Sequence, residues 1–268
     1  MTEPFQTRQY WEDRLGQHCD LAGVGYLRLG RQYNTWLYRV RARVFDRIAT
    51  GLPLDLPQAS VLDVGSGTGF YIDRWRHLRA GRITGADLTQ VAVDTLARRY
   101  PEHAFHRVDI GQPLPEGGLL TPGSFDAISV MDVLFHIVDD AQYARAFQNL
   151  AALLKPGGWL LWSDNFVRHG EERVAHQASR SLAASEAAVR DAGFEITARV
   201  PMFVLMNYPA DTRGRLPKWL WTGMVAPAAV AEPLGWLVGA ALYPLENFLV
   251  ERMRESPSTE MMVCRRRT

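Results

Sequence analysis

Residues 61–69 read Val-Leu-Asp-Val-Gly-Ser-Gly-Thr-Gly, which is the most informative stretch of the chain. Val61, Leu62 and Val64 predict the end of a buried strand, because a short apolar run rich in β-branched residues is typical of a strand covered on both faces. Three glycines follow at alternate positions, and glycine lets the backbone turn tightly and approach a ligand. Apolar residues then recur at helical spacing from residue 70, so the glycines lie between a strand and a helix.

The chemistry around the glycines favours one of three cofactor classes that bind at such a turn. A phosphate-binding P-loop ends in Gly-Lys-Ser/Thr, and no lysine follows here. A dinucleotide loop needs G-x-G-x-x-G, and its third glycine would fall at position 70, which is Phe70. Asp63, beside the loop, would repel a pyrophosphate but would tolerate a ligand with a cationic end. S-adenosylmethionine is such a ligand, because its amino and sulfonium groups are positive.

The run Asp-x-Gly-x-Gly-x-Gly resembles the cofactor loop of class I S-adenosylmethionine-dependent methyltransferases. The resemblance covers residues 58–204 and the last strand, because weaker segments at 124–131, 154–158 and 191–194 follow in the family's order. It implies S-adenosylmethionine as the cofactor. The loop residues that it implies as cofactor contacts are Asp63, Gly65, Ser66, Gly67 and Gly69.

A second acidic residue, Asp87, stands at the end of the second predicted strand. A carboxylate there can accept two hydrogen bonds from the vicinal hydroxyls of a ribose, with Leu88 beside it as a further cofactor contact. The alternative is that Asp87 caps the following helix, since aspartate is a common N-cap. Its distance along the chain from the glycine loop favours the ribose role.

Three more positions at strand ends are implied by the resemblance. In the family, an acidic residue at the place of Asp109 faces the adenine amino group, and an apolar neighbour, here Ile110, packs on the ring. The alternative for Asp109 is a turn aspartate before Gly111. Met131, at the end of the fourth strand, is expected near the sulfur of the cofactor.

The N-terminal segment carries Trp11 and Arg14 in the run Tyr-Trp-Glu-Asp-Arg. Small-molecule methyltransferases carry a similar Trp-x-x-Arg in a helix that closes over the cofactor. An aromatic face near a sulfonium gains ~1 kcal/mol by cation–π attraction. A plain amphipathic helix would have the same sequence, so both interpretations stand.

His136 is the candidate catalytic base, because it lies just beyond the fourth strand, at the edge of the sheet where an acceptor would bind. A base assists methyl transfer to a hydroxyl and adds ~10²–10⁴-fold to the rate. The alternative is a hydrogen-bonded structural histidine. No spacing of His, Cys, Asp and Glu in the chain predicts a metal site.

Strands alternate with helices from residue 59 onward, which predicts an α/β fold with a Rossmann-like, seven-stranded, mostly parallel sheet and helices on both faces. We expect strands at 59–64, 82–87, 103–109, 125–131, 157–163, 194–204 and 260–266. We expect helices at 70–79, 89–100, 139–154 and 171–192. The predicted parts are an N-terminal helical lid (1–55), the cofactor-binding core (56–206), an apolar helical insertion (207–257) and the last strand (258–268).

The insertion has the most unusual composition in the chain. Residues 219–250 are crowded with apolar side chains, and Glu232 is their only charge before position 246. The length would allow a membrane span, but Pro227, Pro233 and Pro244 favour two short helices bent at the prolines. Such helices would cap the substrate, form a homodimer face or lie peripherally in a membrane interface. Each role favours a hydrophobic or amphipathic acceptor.

Composition sets the remaining expectations. Lys and Arg number 30 against 29 Asp and Glu, so the net charge of +1 gives no general attraction to nucleic acid. Cys19 and Cys264 predict no disulfide framework, and we expect a cytoplasmic protein with or without membrane association. The sequence predicts methyl transfer to a small, hydrophobic or lipid-linked acceptor, with a hydroxyl favoured. The alternatives are a nicotinamide-dependent oxidoreductase and a non-catalytic binding module of the same fold.

Overall fold

A seven-stranded sheet forms the centre of the protein. The computed structural model describes residues 6–18, 20–115 and 117–268, so Cys19 lies outside the description. The strands, numbered in chain order, are β1 (Ser60–Val64), β2 (Arg82–Asp87), β3 (Ala104–Arg107), β4 (Phe125–Met131), β5 (Leu154–Asp164), β6 (Glu172–Val174), β7 (Gln177–Ser179), β8 (Phe194–Pro201) and β9 (Glu260–Arg266). The sheet order is β3-β2-β1-β4-β5-β9-β8, with β9 antiparallel to both neighbours. The predicted seven-stranded, mostly parallel sheet is confirmed.

Helices cover both faces of this sheet, as predicted. They are α1 (Thr7–Gln17), α2 (Gly30–Thr50), α3 (Phe70–His77), α4 (Gln90–Arg99), α5 (Asp140–Leu153), α6 (Leu182–Asp191), α7 (Leu216–Val225) and α8 (Glu232–Arg252). On one face, Phe45 of α2 and Trp75 of α3 share a buried cluster with Val61 of β1. On the other face, Phe147 of α5 packs against Trp162 of β5. Burial from both sides explains why the central strands are continuous apolar runs.

The prediction of a single helix over 171–192 is wrong in its first half. The strands β6 and β7 pair there as an antiparallel hairpin, and α6 begins only after Ser181, whose side chain caps it. Residues 171–180 lack Gly and Pro, so nothing in the local sequence breaks a helix. Long-range contacts override the local preference: the Arg180 guanidinium donates to the Ile137 carbonyl at 2.8 Å, on the loop that follows β4.

The apolar insertion folds into α7, a 3₁₀ turn at Ala226–Ala229, and α8. The prediction of two short helices is wrong for the second, because α8 has 21 residues and contains Pro244 in its interior. Pro227 lies in the 3₁₀ turn, and Pro233 lies in the first turn of α8, where a missing N–H removes no helical hydrogen bond. Two of the three prolines therefore mark helix boundaries, and one does not.

α8 lies against α2 and against the loop that follows β8. A Cβ at Gly239 would overlap the ring of Trp36, so glycine is what lets the two helices approach this closely. The buried carboxylate of Glu246 accepts hydrogen bonds from the backbone N–H groups of residues 204–206, at 2.7 to 3.2 Å. These contacts attach the insertion to the core. Across the described part of the chain, no helix has the length and apolar character needed to cross a membrane.

Candidate functional site

The strand order reverses between β1 and β4, and a first cavity opens there at the carboxyl ends of the strands. Ligands of open α/β folds bind in such a crevice, because neighbouring connections leave in opposite directions. The predicted site residues on the wall of this cavity are Trp11, Gly65, Ser66, Gly67, Asp87, Leu88, Asp109, Ile110, Met131 and His136. The structure thus brings ten of the thirteen predicted site residues together.

The glycine loop between β1 and α3 forms part of the wall. Gly65, Gly67 and Gly69 have φ angles of 75°, 50° and 83°, in the left-handed region that favours glycine. A Cβ at Gly65 would overlap the side chain of Val133, and one at Gly69 would lie 2.6 Å from the side chain of Leu96. At these two positions the protein's own packing therefore requires glycine, in addition to any need of a ligand.

Asp87 holds the glycine loop and also lines the cavity. Its Oδ2 accepts from the Gly67 N–H at 2.8 Å, and its Oδ1 accepts from the N–H and hydroxyl of Thr89 at 2.9 and 2.7 Å. The N-cap of α4 is Thr89, which bonds the N–H of Ala92, so the alternative role of Asp87 as this cap is wrong. Burial raises the pKa of Asp87, and the hydrogen bonds from Gly67 and Thr89 oppose that effect.

Asp109 and Ile110 give the cavity an acidic group beside an apolar one. Asp109 is exposed, and its Oδ1 accepts from the Gly111 N–H at 3.0 Å, which is the turn contact considered as its alternative role. This turn contact and a place on the cavity wall are compatible, because only one carboxylate oxygen makes the bond. Ile110 is buried, and Met131 reaches the same wall from the end of β4.

Three predicted cofactor residues, Asp63, Gly69 and Arg14, do not line the first cavity. Asp63 is buried beneath the loop, where its Oδ1 accepts from the Ser129 hydroxyl at 2.6 Å. Its Oδ2 has no hydrogen-bond partner among the described residues. Burial raises the pKa of Asp63 to about 7, although the bond from Ser129 acts in the opposite direction. Alternation along β1 explains this placement, because the residue on either side of Asp63 faces the opposite layer.

A carboxylate on α1, Glu12, holds this helix against the core. It accepts hydrogen bonds from the backbone N–H groups of Gln90 and Val91 at 2.9 and 3.3 Å, at the N-terminus of α4. A carboxylate is favourable there, because the first N–H groups of a helix have no partner within it and carry positive partial charge. Glu12 was not predicted from the sequence, where its only signal is its position between Trp11 and Arg14.

Trp11 and Arg14 have different roles in the structure. Trp11 lines the first cavity, and its ring meets that of His136 edge to face at 4.9 Å. The Arg14 guanidinium donates to the carbonyls of Gly23 and Gly25 at 2.6 and 2.8 Å, so it fastens the chain after α1 to that helix. Arg14 lies on the wall of a neighbouring cavity.

This second cavity adjoins the first. Both have Trp11, Val24, Tyr38, Arg41, Asp132 and His136 on their walls. The rest of the second wall comes from α1, α2 and the chain between them, from the hairpin β6–β7, and from the segments after β4, β5 and β8 and before β9. It carries the amide side chains of Asn34, Asn165, Gln177 and Asn207. Tyr26 and Tyr208, on the same wall, contact Trp221 of α7 with ring centroids 5.8 and 5.4 Å apart. The inner side of α7 therefore packs behind the wall of this cavity, although no residue of α7 lines the cavity itself.

An ion pair between Arg41 of α2 and Asp132 stands where the two cavities meet. Asp132 has a φ of 58°, which is rare for a residue other than glycine, and it accepts from the Ser163 hydroxyl at 2.7 Å. Burial has the largest single effect and lowers the pKa of the Arg41 guanidinium, but Asp132, Tyr71 and Tyr38 together raise it above its ordinary value. The sequence analysis missed Arg41, although its signal was a cation on the helix face that carries Leu37 and Val44.

His136 is neutral at physiological pH. Burial lowers its pKa to about 4, although the bond to His176 favours the charged form. Its Nδ1 lies 3.0 Å from the His176 carbonyl oxygen, and a carbonyl can only accept, so Nδ1 carries the proton of the neutral ring. Nε2 then bears a lone pair. The ring can accept a proton there, and the contact to the hairpin turn also gives it a structural role.

The chemistry of the first cavity fits S-adenosylmethionine. Among the described residues of its wall, the carboxylates of Asp87 and Asp109 are present, and the cation Arg41 is already paired with Asp132. Ribose hydroxyls and a positive sulfonium suit such a wall, whereas a pyrophosphate would meet carboxylates and no free cation. This argues against the dinucleotide alternative.

A family model described as "Methyltransferase domain" matches residues 61–158, from β1 into β5. The glycine loop, the acidic residue at the end of β2 and the reversed strand order lie within this match. Residues 61–158 therefore match a methyltransferase domain, and the fold of the chain is similar to that of solved S-adenosylmethionine-dependent methyltransferases.

Curated relatives match the same part of the chain. The "Ubiquinone biosynthesis O-methyltransferase" of Xanthomonas campestris pv. campestris is 38% identical over 109 residues, which cover 40% of this chain and 44% of that protein. Among the curated relatives, the match spans less than half of the relative's length. The matched family segment, residues 61–158, thus includes neither the helices before β1 nor the insertion before β9.

Solved structures resemble this chain over a larger extent. The [4+2]-cyclase SpnF has a TM-score of 0.54 and 20% identity, covering 85% of this chain and 81% of that one. The geranyl diphosphate C-methyltransferase from Streptomyces coelicolor A3(2) has a TM-score of 0.53 and 16% identity, covering 84% and 76%. At these identities the likeness establishes the fold alone. Since one of the two is a cyclase, this fold does not by itself specify a reaction.

Proposed function

We propose that this protein transfers a methyl group from S-adenosylmethionine to an oxygen atom of a small, hydrophobic or lipid-linked acceptor. The observation that carries the proposal is the pair of adjoining cavities, which share Arg41, Asp132 and His136. The first cavity has the chemistry that the cofactor needs, and the second is left for the acceptor. The relatives named O-methyltransferases support oxygen as the accepting atom.

When bound, S-adenosylmethionine supplies a methyl group made electrophilic by its sulfonium. The main task of the chain is to bind and orient both molecules, since orientation can provide roughly 7–11 kcal/mol of a barrier. In our proposal Asp87 accepts from ribose hydroxyls, and Asp109 and Ile110 bind the adenine ring. Met131, at the end of β4, and Trp11, within α1, cover the reacting end.

His136 is the proposed base for a hydroxyl acceptor. Its Nδ1–H is committed to the His176 carbonyl, so the lone pair on Nε2 is available to accept the hydroxyl proton. Arg41 and Asp132 lie on the same shared wall, where they can orient a polar acceptor end. The amide side chains of the second cavity would bind other polar groups of that end.

Calorimetric titration tests the cofactor assignment. We expect saturable binding of S-adenosylmethionine and S-adenosylhomocysteine, and none of NADH. Asp87→Asn should weaken cofactor binding about tenfold or more, because a neutral amide accepts hydroxyl hydrogen bonds less strongly than a carboxylate. Asp94→Asn, at an exposed position on α4, is the matched control and should leave the affinity unchanged. Equal affinity for NADH would refute the assignment.

Product analysis tests the reaction. Incubation with S-adenosylmethionine and pooled hydrophobic extracts should yield an acceptor heavier by one methylene group, together with S-adenosylhomocysteine. Cofactor binding without any turnover across such extracts would favour the non-catalytic binding module.

A further inference from the structure

The outward face of α8 is apolar. Leu234, Leu237, Leu245 and Phe248 recur there at helical spacing, and all four are exposed. The opposite face of the helix is the one buried against the core. A surface helix of a globular protein normally presents polar residues outward, so the fold of this chain does not account for these side chains.

The same composition continues on α7 and on the turn between the helices. Leu216, Trp219 and Leu220 are exposed on α7, and Trp219 is 77% exposed. Val230, after the 3₁₀ turn, is 78% exposed. Ten of the fourteen large apolar side chains that are exposed in the described structure lie between Leu216 and Met253. An apolar surface concentrated in this way marks an interaction site.

Positive charges that lack carboxylate partners flank this surface. Three of them lie just before or within α7 and two lie at the end of α8: Arg213, Arg215, Lys218, Arg252 and Arg254. None of the five forms a salt bridge with another described residue.

The acids of the same segment are engaged within the protein. Glu232 accepts from the backbone N–H groups of residues 31 and 32 at 2.8 and 2.7 Å. Glu246 is buried against residues 204–206, and Glu251 pairs with Arg43 at 2.7 Å. The insertion therefore presents apolar side chains and unneutralised cations to its surroundings.

We propose that α7 and α8 dock this protein on the surface of an anionic lipid bilayer. The apolar side chains enter the headgroup boundary, and the five cations contact lipid phosphates. The helices lie in the interface and do not cross it, because α8 contains Pro244 and the buried Glu246. A symmetric dimer through the same face would bring the same cations of both subunits together without carboxylates to neutralise them.

The position of α7 gives this docking a consequence for the acceptor. The inner side chain Trp221 contacts Tyr26 and Tyr208 on the wall of the second cavity, while Trp219 and Leu220 point away from the core. Docking would thus place the second cavity next to the bilayer, from which a hydrophobic acceptor can enter. This step rests on the proposed function, whereas the membrane binding itself does not.

Vesicle sedimentation tests the apolar part of the proposal. The full chain should sediment with vesicles of phosphatidylglycerol and phosphatidylcholine. The triple variant Trp219→Ser, Leu237→Ser and Phe248→Ser should bind at least about tenfold more weakly, because three inserted side chains are lost. Leu119→Ser is the matched control, since Leu119 is 72% exposed in a loop outside the insertion, and it should bind as the wild type does.

The charge part has its own variants. Arg213→Gln, Arg215→Gln and Lys218→Gln together should weaken binding about tenfold or more, and added salt should weaken the wild type. The pair Arg107→Gln and Arg145→Gln, both exposed elsewhere, should have no effect. Vesicles of pure phosphatidylcholine should bind far less protein than anionic ones.

Several results would overturn the docking proposal. They are no sedimentation with anionic vesicles, equal losses in the control variants, or a dimer in light scattering that the apolar triple variant dissociates. Thermal unfolding and S-adenosylmethionine titration of every variant should match the wild type. Because cofactor binding is measured without vesicles, failure of the docking proposal is distinguishable from failure of the proposed function.

Discussion

At the scale of single residues, folding changes the pKa of several buried side chains in and near the first cavity. Burial raises the pKa of Asp63 to about 7 and lowers that of His136 to about 4, so both groups favour the neutral form more than they do in water. The Arg41 guanidinium is charged throughout the ordinary pH range, and Asp132, Tyr71 and Tyr38 raise its pKa against the effect of burial. The surroundings thus favour the neutral forms of Asp63 and His136 and the charged form of Arg41.

His136→Ala should lower turnover about a hundredfold or more and leave the affinity for S-adenosylmethionine nearly unchanged, because the change removes the proposed base but none of the proposed ribose and adenine contacts. Fixed-time activity assays measure turnover, and calorimetric titration measures the affinity for S-adenosylmethionine. His77→Ala, at an exposed position on α3, is the control and should behave as the wild type does. An unaltered rate would remove His136 from the mechanism.

The same histidine predicts a pH dependence. With a pKa of about 4, His136 is already deprotonated throughout the neutral range, so kcat/KM should fall only as the pH approaches about 4. This expectation would be contradicted if kcat/KM of the wild type fell near the ordinary histidine pKa of about 6.5 and this fall were absent in His136→Ala.

Asp63→Asn should alter how stability depends on pH. The pKa of Asp63 rises from 3.8 to about 7 on folding, so the folded protein retains a proton that the unfolded chain has lost between these values. Stability due to this group therefore falls as the pH rises through that range, by at most about 4 kcal/mol. Asparagine does not titrate, so the free energy of unfolding of the variant should rise relative to that of the wild type from pH 5 to pH 8. If thermal unfolding shows the same difference in stability between the variant and the wild type across this pH range, the expectation is contradicted.

At the scale of elements, local sequence patterns located most strands and helices, and long-range contacts decided the exceptions. The apolar runs with glycine turns between them gave β1, β2 and β4 within one residue of the predicted bounds. The hairpin β6–β7 was not predictable from local patterns. Its two strands pair with each other, and Arg180, just after β7, is hydrogen-bonded to the loop after β4. α8 continues through Pro244, because its packing on α2 and the bonds of Glu246 stabilise the helix on both sides of that residue.

Gly239→Ala tests the contact between α8 and α2. The added Cβ would overlap the ring of Trp36, so the variant should be destabilised by about 1–3 kcal/mol despite the better helix propensity of alanine. Gly223→Ala on α7 is the matched control, because nothing lies within 4 Å of its Cβ position. There alanine should be neutral or stabilise by about 0.5–1 kcal/mol. Chemical denaturation measures both, and equal effects would show that the two helices pack less closely.

At the scale of the whole molecule, the parts before and after the core complete the site. α1 and α2 bring Trp11, Tyr38 and Arg41 to the cavities, and the insertion brings Tyr208 and its neighbour Trp221. The family match at residues 61–158 contains none of these side chains. The elements outside the family match therefore contribute to the walls of both cavities, and in the proposed function they line both the cofactor side and the acceptor side.

The sheet and the glycine loop could be predicted from the sequence, because they depend on local periodicity and on motif spacing. Ten residues of the first cavity wall were also predicted, some from the loop and strand ends and others only from the family resemblance. It also predicted that the insertion is apolar and helical. Three features became visible only in the folded chain: Asp63 faces the core, Arg41 contacts Asp132, and the outward side of α8 is exposed. These features depend on which faces of distant elements pack together, and a linear pattern does not specify that.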